Sequence, residues 1–248
     1  MQALRLGSYV GTGVARSIVS GPWRPDLVLI KGATTQIAVT CTRTMGSGSK
    51  LMIGNSVLQT TLITAVTADG FTLGTGGNVN TLGVTYHYLV AREQARQFAV
   101  GSYAGTGVAQ AITGVGFRPA YVWIMAETNQ PPIHGSTTMP ANNVFFFDAT
   151  AALTNRILSF DVDGFTVGTQ ANVNNNGVAY HWLAWAAIPE QMATGSYVGD
   201  GADDRSISGV GFTPWLVITV GASLDSLWKP RIDNDVTVLG ESAKFFAA

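Results

Sequence analysis

Two histidines, at equivalent positions of two similar stretches, could serve more chemical roles than any other residues of this sequence. His87 and His181 each follow a tyrosine in an alternating run of residues that is typical of a β-strand. Such a histidine is either hydrogen-bonded inside a half-buried sheet or a polar contact in an aromatic-lined binding face. Because Trp182 and Trp185 follow the second histidine, we name all four as candidate binding residues.

Four asparagines beside glycine-rich turns form the second candidate group: Asn78, Asn80, Asn172 and Asn174. Asparagine amides can hold sugar hydroxyls while tryptophan and tyrosine rings pack against the apolar faces of sugars. Asparagine is also typical of turns that need a positive φ. We expect these asparagines to be the most exposed polar pairs of the chain.

Residues for catalysis are sparse. Glycoside hydrolysis needs two carboxylates roughly 5–10 Å apart, whereas Asp69 and Asp163 both stand in Asp-Gly pairs that are typical of hairpin turns. The serine of the repeated Gly-Ser-Tyr lacks the Gly-x-Ser-x-Gly context of a nucleophile. We therefore predict that the chain is not an enzyme and needs no cofactor, with a glycan hydrolase as the remote alternative.

Asp200, Asp203 and Asp204 are the densest group of acidic residues. Their oxygens could surround a Ca²⁺ ion, or they could form a solvated turn beside Arg205. The turn is favoured, because the first two units have threonine where Asp200 stands. No zinc site is expected, since the single cysteine and the histidines lack the spacing of zinc ligands.

The elements that would position these residues belong to an internal repeat. Gly-Ser-Tyr-x-Gly-x-Gly begins at Gly7, Gly101 and Gly195, at intervals of 94 residues. A period this long fits a small domain rather than a solenoid repeat. The pattern predicts repeat 1 over residues 1–100, repeat 2 over 101–194 and an incomplete repeat 3 over 195–248.

The third unit differs from the first two units in its first turn and in its length. It has one extra residue before Pro214, and its similarity to the other units stops about halfway along. Half a unit cannot close a sandwich alone. The unit is therefore truncated, completed by strands of another chain, or closed by Phe245 and Phe246 in its own way, and the sequence leaves all three open.

Each unit contains the patterns of six to eight β-strands. Short apolar runs cover residues 26–31, 120–125 and 215–220, as is typical of strands in a sandwich core. Asp-Gly between apolar residues predicts hairpins over 65–73 and 159–167. No segment has the periodicity and caps of a helix. The expected fold is all-β, with tandem antiparallel β-sandwich modules of 94 residues.

The charge is low and balanced, which excludes several classes of protein. Charged residues make up 12% of the 248 residues, against about 25% in ordinary domains, and the net charge is −1. The chain therefore lacks the basic surface that nucleic acids or anionic membranes require. It has one cysteine, no apolar run long enough to span a membrane, and no signal-peptide pattern. So little charge is typical of proteins that sit in assemblies.

The repeated motifs resemble those of phage virion proteins. They are Gly-Ser-Tyr-x-Gly-x-Gly, then Gly-Phe-x-Pro, then Asp-Gly-Phe-Thr, then a strand with Tyr-His. Such repeats occur in tail or other surface-displayed structural proteins of tailed phages, and the resemblance covers the chain from Gly7 onward. The order of landmarks is also similar to that of H-type lectin sandwiches, but the sugar-contact motif of that family is missing here.

The resemblance implies a non-enzymatic structural protein that is displayed on the tail, fibre or capsid of a tailed phage and assembles symmetrically. Its partners would be copies of itself and other virion proteins. It would be made in the host cytoplasm and placed on the virion surface, without contacting nucleic acid or inserting into a membrane. The alternative is a lectin-like adhesin that recognises glycans of the host surface.

Overall fold

Strands dominate the structure of this chain. The computed structural model describes residues 4–202, 205–214, 216–221, 224–230 and 244–245. These residues form several antiparallel sheets, which combine into two sandwich-like modules and one smaller sheet. The all-β class predicted from the sequence is confirmed. Among the described residues, no helix has the length and apolar character needed to cross a bilayer.

The first module is a sandwich of eight strands. They are β1 (Leu4–Val10), β2 (Arg16–Val19), β3 (Leu27–Gly32), β4 (Val39–Thr42), β5 (Lys50–Leu51), β6 (Ile63–Val66), β7 (Gly70–Leu73) and β8 (Thr85–Ala91). One sheet has the order β1-β8-β3-β4-β5 and the other the order β2-β7-β6. A 3-10 turn, Arg43–Met45, follows β4, and the short helix α1 (Gly77–Asn80) precedes β8.

The second module also has eight strands. They are β9 (Phe98–Ala104), β10 (Gln110–Thr113), β11 (Tyr121–Ala126), β12 (Ile133–Ser136), β13 (Phe145–Phe146), β14 (Ile157–Asp161), β15 (Gly164–Val167) and β16 (Ala179–Trp185), with helix α2 (Ala171–Asn174) before β16. Its sheets have the orders β9-β16-β11-β12-β13 and β10-β15-β14. The two modules therefore share one strand order.

The Asp-Gly pairs form hairpins in both modules, as the sequence predicts. Asp69 precedes β7 in the β6–β7 hairpin, and Asp163 precedes β15 in the β14–β15 hairpin. The Asp163 carboxylate also accepts hydrogen bonds from the backbone N–H groups of Gly114 (3.0 Å) and Gly116 (2.6 Å). This hairpin tip is therefore hydrogen-bonded to the turn that follows β10.

The glycine that opens each Gly-Ser-Tyr motif makes room for an aromatic ring. A Cβ atom on Gly7 would lie 2.4 Å from the ring of Tyr88, and one on Gly101 would lie 2.2 Å from the ring of Trp182. Real Cβ atoms do not approach other atoms this closely, so only glycine lets β1 and β9 pair with β8 and β16.

Both faces of the five-stranded sheets are buried. The inner face of each packs on its three-stranded sheet, through residues such as Val28 and Val122. On the outer faces, Leu89 of the first module and Leu183 of the second belong to one hydrophobic cluster, and Leu216 packs against it. The two modules and the smaller sheet are therefore joined by a shared apolar contact.

The smaller sheet contains β17 (Leu216–Gly221), β18 (Leu224–Pro230) and β19 (Lys244–Phe245), in that order. The Ser226 N–H donates to the carbonyl of Phe147, 3.1 Å away in the second module. Residues 195–202 and 205–214, which contain the third Gly-Ser-Tyr motif, are described and form no strand.

Candidate functional site

His181 lies where the two modules meet, not on an exposed face. Its Nδ1 is 2.9 Å from Oγ1 of Thr44 in the first module, and its Nε2 is 3.0 Å from Oε1 of Glu127. Burial lowers the pKa of His181, and the hydrogen bond and charge of Glu127 offset part of that shift. The ring is therefore neutral at neutral pH, so Nε2–H donates to the carboxylate and Nδ1 accepts from the hydroxyl.

A hydroxyl, an imidazole and a carboxylate in series form the kind of relay that activates nucleophiles. Catalytic use would require Thr44 to act as the nucleophile. Its Oγ1 is already shared between His181 and the Oγ1 of Thr42, which is 2.8 Å away. Glu127 of the same module as His181 holds Nε2, and Nδ1 reaches Thr44 of the first module, so the geometry favours a structural contact between the modules.

Lys50 is a buried cation in the same junction. Its Nζ donates to the carbonyl of Ser56 and, at 2.9 Å, to the carbonyl of Thr128 in the second module. Leu58 N–H adds a backbone hydrogen bond of 3.2 Å to the carbonyl of Glu127. Burial lowers the pKa of Lys50 to about 8. A buried ammonium needs partners for its donors, so these carbonyls hold the first module against the second.

An ion network holds the linker between the modules. Arg43 Nε lies 3.0 Å from Oδ1 of Asp26, and its Nη2 lies 2.7 Å from Oε2 of Glu93. The other oxygen of Glu93 accepts a hydrogen bond of 2.8 Å from the N–H of Val100. The polar segment around Glu93, which joins the two modules, is therefore tied to both of them.

An open cleft of about 520 Å³ lies beside this network. Its lining residues are Pro22, Trp23, Arg24, Asp26, Arg92 and Glu93. The cleft carries charges of both signs, and its two acids belong to the linker network. Its charge therefore favours neither an anionic nor a cationic ligand.

The asparagines predicted to be exposed are mostly buried, so that prediction is wrong for three of the four. Asn80, Asn172 and Asn174 are buried and Asn78 is half-buried. None of the four has a positive φ. Helices α1 and α2 contain them, and the side chains of Asn80 and Asn174 serve as hydrogen-bonding partners for backbone groups of nearby turns.

Asn174 shows what these side chains do. Its Oδ1 accepts a hydrogen bond of 2.8 Å from the N–H of Thr106, and its Nδ2 donates to the carbonyls of Val108 (2.6 Å) and Gly168 (2.7 Å). Asn80 makes the equivalent contacts in the first module. Each amide therefore ties three loops together and presents no free polar group to a ligand.

The other candidate binding residues are covered in the same way. His87 is buried, and Trp182 is buried against Gly101 with Phe165 edge-on at 6.0 Å. Trp185 is half-buried and stacks on Phe98 at 5.1 Å. The flat ring faces that a sugar would use are occupied by other side chains.

Of the three residues of the calcium candidate, Asp200 lies within the described part of the chain. Asp200 Oδ2 lies 3.4 Å from Arg205 Nε, and Asp200 Oδ1 accepts a hydrogen bond of 3.0 Å from the N–H of Ala202. These contacts are those of a turn beside an arginine. Asp203 and Asp204 lie outside the described residues. In the part of the chain that is described, no three His, Cys, Asp or Glu side chains gather as a metal site.

The third unit exposes apolar residues whose equivalents are buried in the modules. Tyr197 is 51% exposed whereas Tyr9 is 9% exposed, and Val217 is 45% exposed whereas Val122 is fully buried. Ile207 and Val210 are also exposed, whereas their equivalents Ile112 and Val115 are buried. The outer side of the unit is covered, because Leu216 and Ile218 pack against the shared cluster. The open side is the one that would face a second sheet in a complete module.

Comparison with known proteins reaches only the second module and its linker. Residues 93–193 match the model of a domain of unknown function, DUF7483. Neither the curated proteins nor the solved structures contain a match to the chain. The function must therefore be argued from the residues themselves.

Lys50 and Glu127 of the junction were missed by sequence reasoning because they do not follow the repeat. Lys50 stands where the second unit has Val144, and Glu127 where the first unit has Ala33. A lysine in a strand position that is apolar in the other unit is the signal that could have identified it. Nothing local indicated that it would meet Thr128.

Proposed function

We propose that this chain is a non-enzymatic structural component of a tailed-phage particle, displayed on the tail, fibre or capsid. The observation that carries the proposal is the open apolar side of the third unit. Exposed apolar residues whose equivalents are buried, on a protein of low charge, are typical of an interface. The resemblance of the repeated motifs to phage virion proteins supports the same role.

The arrangement of the modules also favours a structural role. Hydrogen bonds, a buried lysine and the linker ion network connect the two modules at several separate points. Connections of this kind fix the relative position of two sandwiches, which suits a part of a regular assembly. The alternative of a glycan-binding adhesin has less support, because most of its candidate residues are buried.

The role is tested on purified particles of the phage that encodes the chain. An epitope inserted at the exposed hairpin tip, Val162-Asp163, allows gold-labelled antibody to mark the protein. We expect labels at one regular location on the particle surface and a fixed copy number by quantitative mass spectrometry. Absence of the protein from washed particles overturns the proposal. Binding of the purified chain to a glycan array would instead favour the adhesin.

A further inference from the structure

The two acids of the open cleft beside the linker network are already bonded. Asp26 Oδ1 lies 3.0 Å from Arg43 Nε, and its Oδ2 accepts a hydrogen bond of 2.7 Å from the N–H of Glu93. Glu93 Oε2 lies 2.7 Å from Arg43 Nη2, and its Oε1 accepts a hydrogen bond of 2.8 Å from the N–H of Val100. Each of the four carboxylate oxygens therefore has a donor within the protein.

The donors that line the same cleft are free. Arg24 and Arg92 are exposed, and neither has an ion pair or a hydrogen bond with any described residue. Trp23 is only 9% exposed, and its indole N–H reaches solvent without an acceptor in the described part of the chain. A buried indole N–H usually has an acceptor. The formal charges of the lining residues cancel, so the free donors, rather than the summed charge, determine which ligand the cleft suits.

A third arginine lies against the turn that leads into the cleft. A Cβ atom on Gly21 would lie 2.7 Å from Nη1 of Arg5, so this guanidinium packs beside the residue that precedes Pro22. Arg5 is exposed and has no ion pair within the described ranges. The carbonyl of Asp69 accepts a hydrogen bond of 3.0 Å from the N–H of Gly21, but the Asp69 carboxylate pairs with none of these arginines. Neighbouring cations without a counterion repel each other, which an anion would relieve.

The second module shows that the fold does not need this cluster. Alanine replaces two of the three arginines there, with Ala99 at the position of Arg5 and Ala186 at the position of Arg92. The third arginine is kept as Arg118, whose Nε donates to a backbone carbonyl 3.1 Å away. The first module therefore has two additional arginines at these positions, and neither is used to hold the sandwich together.

We propose that the cleft of the first module binds an oxyanion, which is the phosphate or carboxylate group of a small polar molecule. The planar guanidinium groups of Arg24 and Arg92 donate to its oxygens, because their paired N–H donors match the oxygens of a carboxylate or phosphate. The indole N–H of Trp23 donates to a further oxygen. A volume of about 520 Å³ lies within the range of small-molecule sites, so a sugar attached to the anion also fits.

The site is separate from the open side of the third unit, on which the proposed function rests. Either can therefore fail without the other.

Nuclear magnetic resonance of the full chain, labelled with nitrogen-15, tests the site. The probes are inorganic phosphate, glucose 6-phosphate, glucuronate and, as the neutral control, glucose. The chain has six tryptophans, and the indole signal that disappears in Trp23→Phe is that of Trp23. We expect a saturable shift of this signal with the anions and none with glucose. Comparison of inorganic phosphate with glucose 6-phosphate shows whether the free anion or the sugar-borne anion binds more tightly.

Substitutions in the protein locate the site. Arg24→Gln and Arg92→Gln should each raise the Kd by about fivefold, because each removes charge-assisted hydrogen bonds at an exposed position. Arg118→Gln changes the equivalent of Arg24 in the second module, and as the matched control it should leave the Kd unchanged. Added sodium chloride should weaken binding to the unsubstituted chain, since exposed charges are screened by salt. Circular dichroism melts show whether each variant remains folded.

Each outcome decides the inference. The site is overturned if no anion gives a saturable shift, or if the double variant Arg24→Gln/Arg92→Gln keeps the original Kd. A loss in Arg118→Gln as large as that in Arg24→Gln also overturns it, because the effect would then come from net charge alone. Glucose binding as tightly as glucuronate would show that the contact is with the sugar and not with the oxyanion. Anion binding by a protein that is missing from phage particles would uphold the site while the proposed function fails.

Discussion

The second module and the third unit have the same turns but different neighbours. The φ angle is 77° at Gly107 and 74° at Gly201, and 83° at Gly114 and 84° at Gly209. Yet residues 98–104 form strand β9, whereas residues 195–202 form no strand. What the motif has in the second module and lacks in the third unit is the strand beside it. Local sequence therefore determines the turns, and pairing with a neighbour determines the strand.

Valine at equivalent glycines should separate the two regions most clearly. Gly101→Val forces a side chain into the ring of Trp182 and is expected to lower the free energy of unfolding by about 3 kcal/mol. Gly195→Val meets open space in the free chain and should change it by less than about 0.5 kcal/mol. Urea unfolding of both variants checks this. Equal losses would mean that the third unit is already packed.

The buried asparagine of the second module should give the next largest effect. Asn174→Ala removes three loop contacts and leaves backbone groups without partners, so we expect a loss of about 2–3 kcal/mol in the free energy of unfolding. Asn176→Ala, at an exposed neighbouring position, is the control and should be nearly neutral. A neutral Asn174→Ala would show that water replaces the amide and that the loops do not depend on it.

The buried lysine of the junction predicts that the free energy of unfolding depends on pH. The pKa of Lys50 is lowered from 10.5 to about 8 in the folded chain. Between these values the unfolded chain binds more protons, so the free energy of unfolding rises as the pH increases. Lys50 alone would add about 2 kcal/mol between pH 7.5 and 9.5. The buried Cys41 thiol, whose pKa burial raises to about 12, offsets about 1 kcal/mol of that rise, so we expect a net rise of about 1 kcal/mol.

Lys50→Met should flatten this rise, and Arg24→Met, at an exposed position, should preserve it. Chemical unfolding at several pH values measures the slope for each variant. A slope that survives in Lys50→Met would assign the proton to another group.

Much of the fold could be predicted from the sequence, because strands and hairpins are indicated by local patterns of residues. The apolar runs became β3, β11 and β17, and the Asp-Gly pairs became hairpins. The candidate binding site could not be predicted in this way, because the polarity of a side chain does not show whether that side chain is buried. Asn174 looked like an exposed turn residue and is buried, since the turn backbone around it requires a hydrogen-bonding side chain.

The junction could not be predicted for a different reason. Thr44 meets His181 only when the two modules pack, over a separation of 137 residues that no local pattern encodes. Positions at which the two units differ, such as Lys50, can therefore indicate contacts between the modules that the repeated residues do not indicate.

The smallest expected effect tests whether turns are independent of their neighbours. Asp163 holds the N–H groups of Gly114 and Gly116, but Gly209 and Gly211 of the third unit keep φ values of 84° and 86° without an equivalent aspartate in the chain. If the glycines alone determine the turn, Asp163→Ala removes only exposed hydrogen bonds and lowers the free energy of unfolding by about 0.5–1 kcal/mol. Urea unfolding gives that value, and amide exchange at residues 114–116 reports the turn. A loss above about 2 kcal/mol would mean that the hairpin imposes the turn, and that the third unit needs its missing neighbours for its turns as well as for its strands.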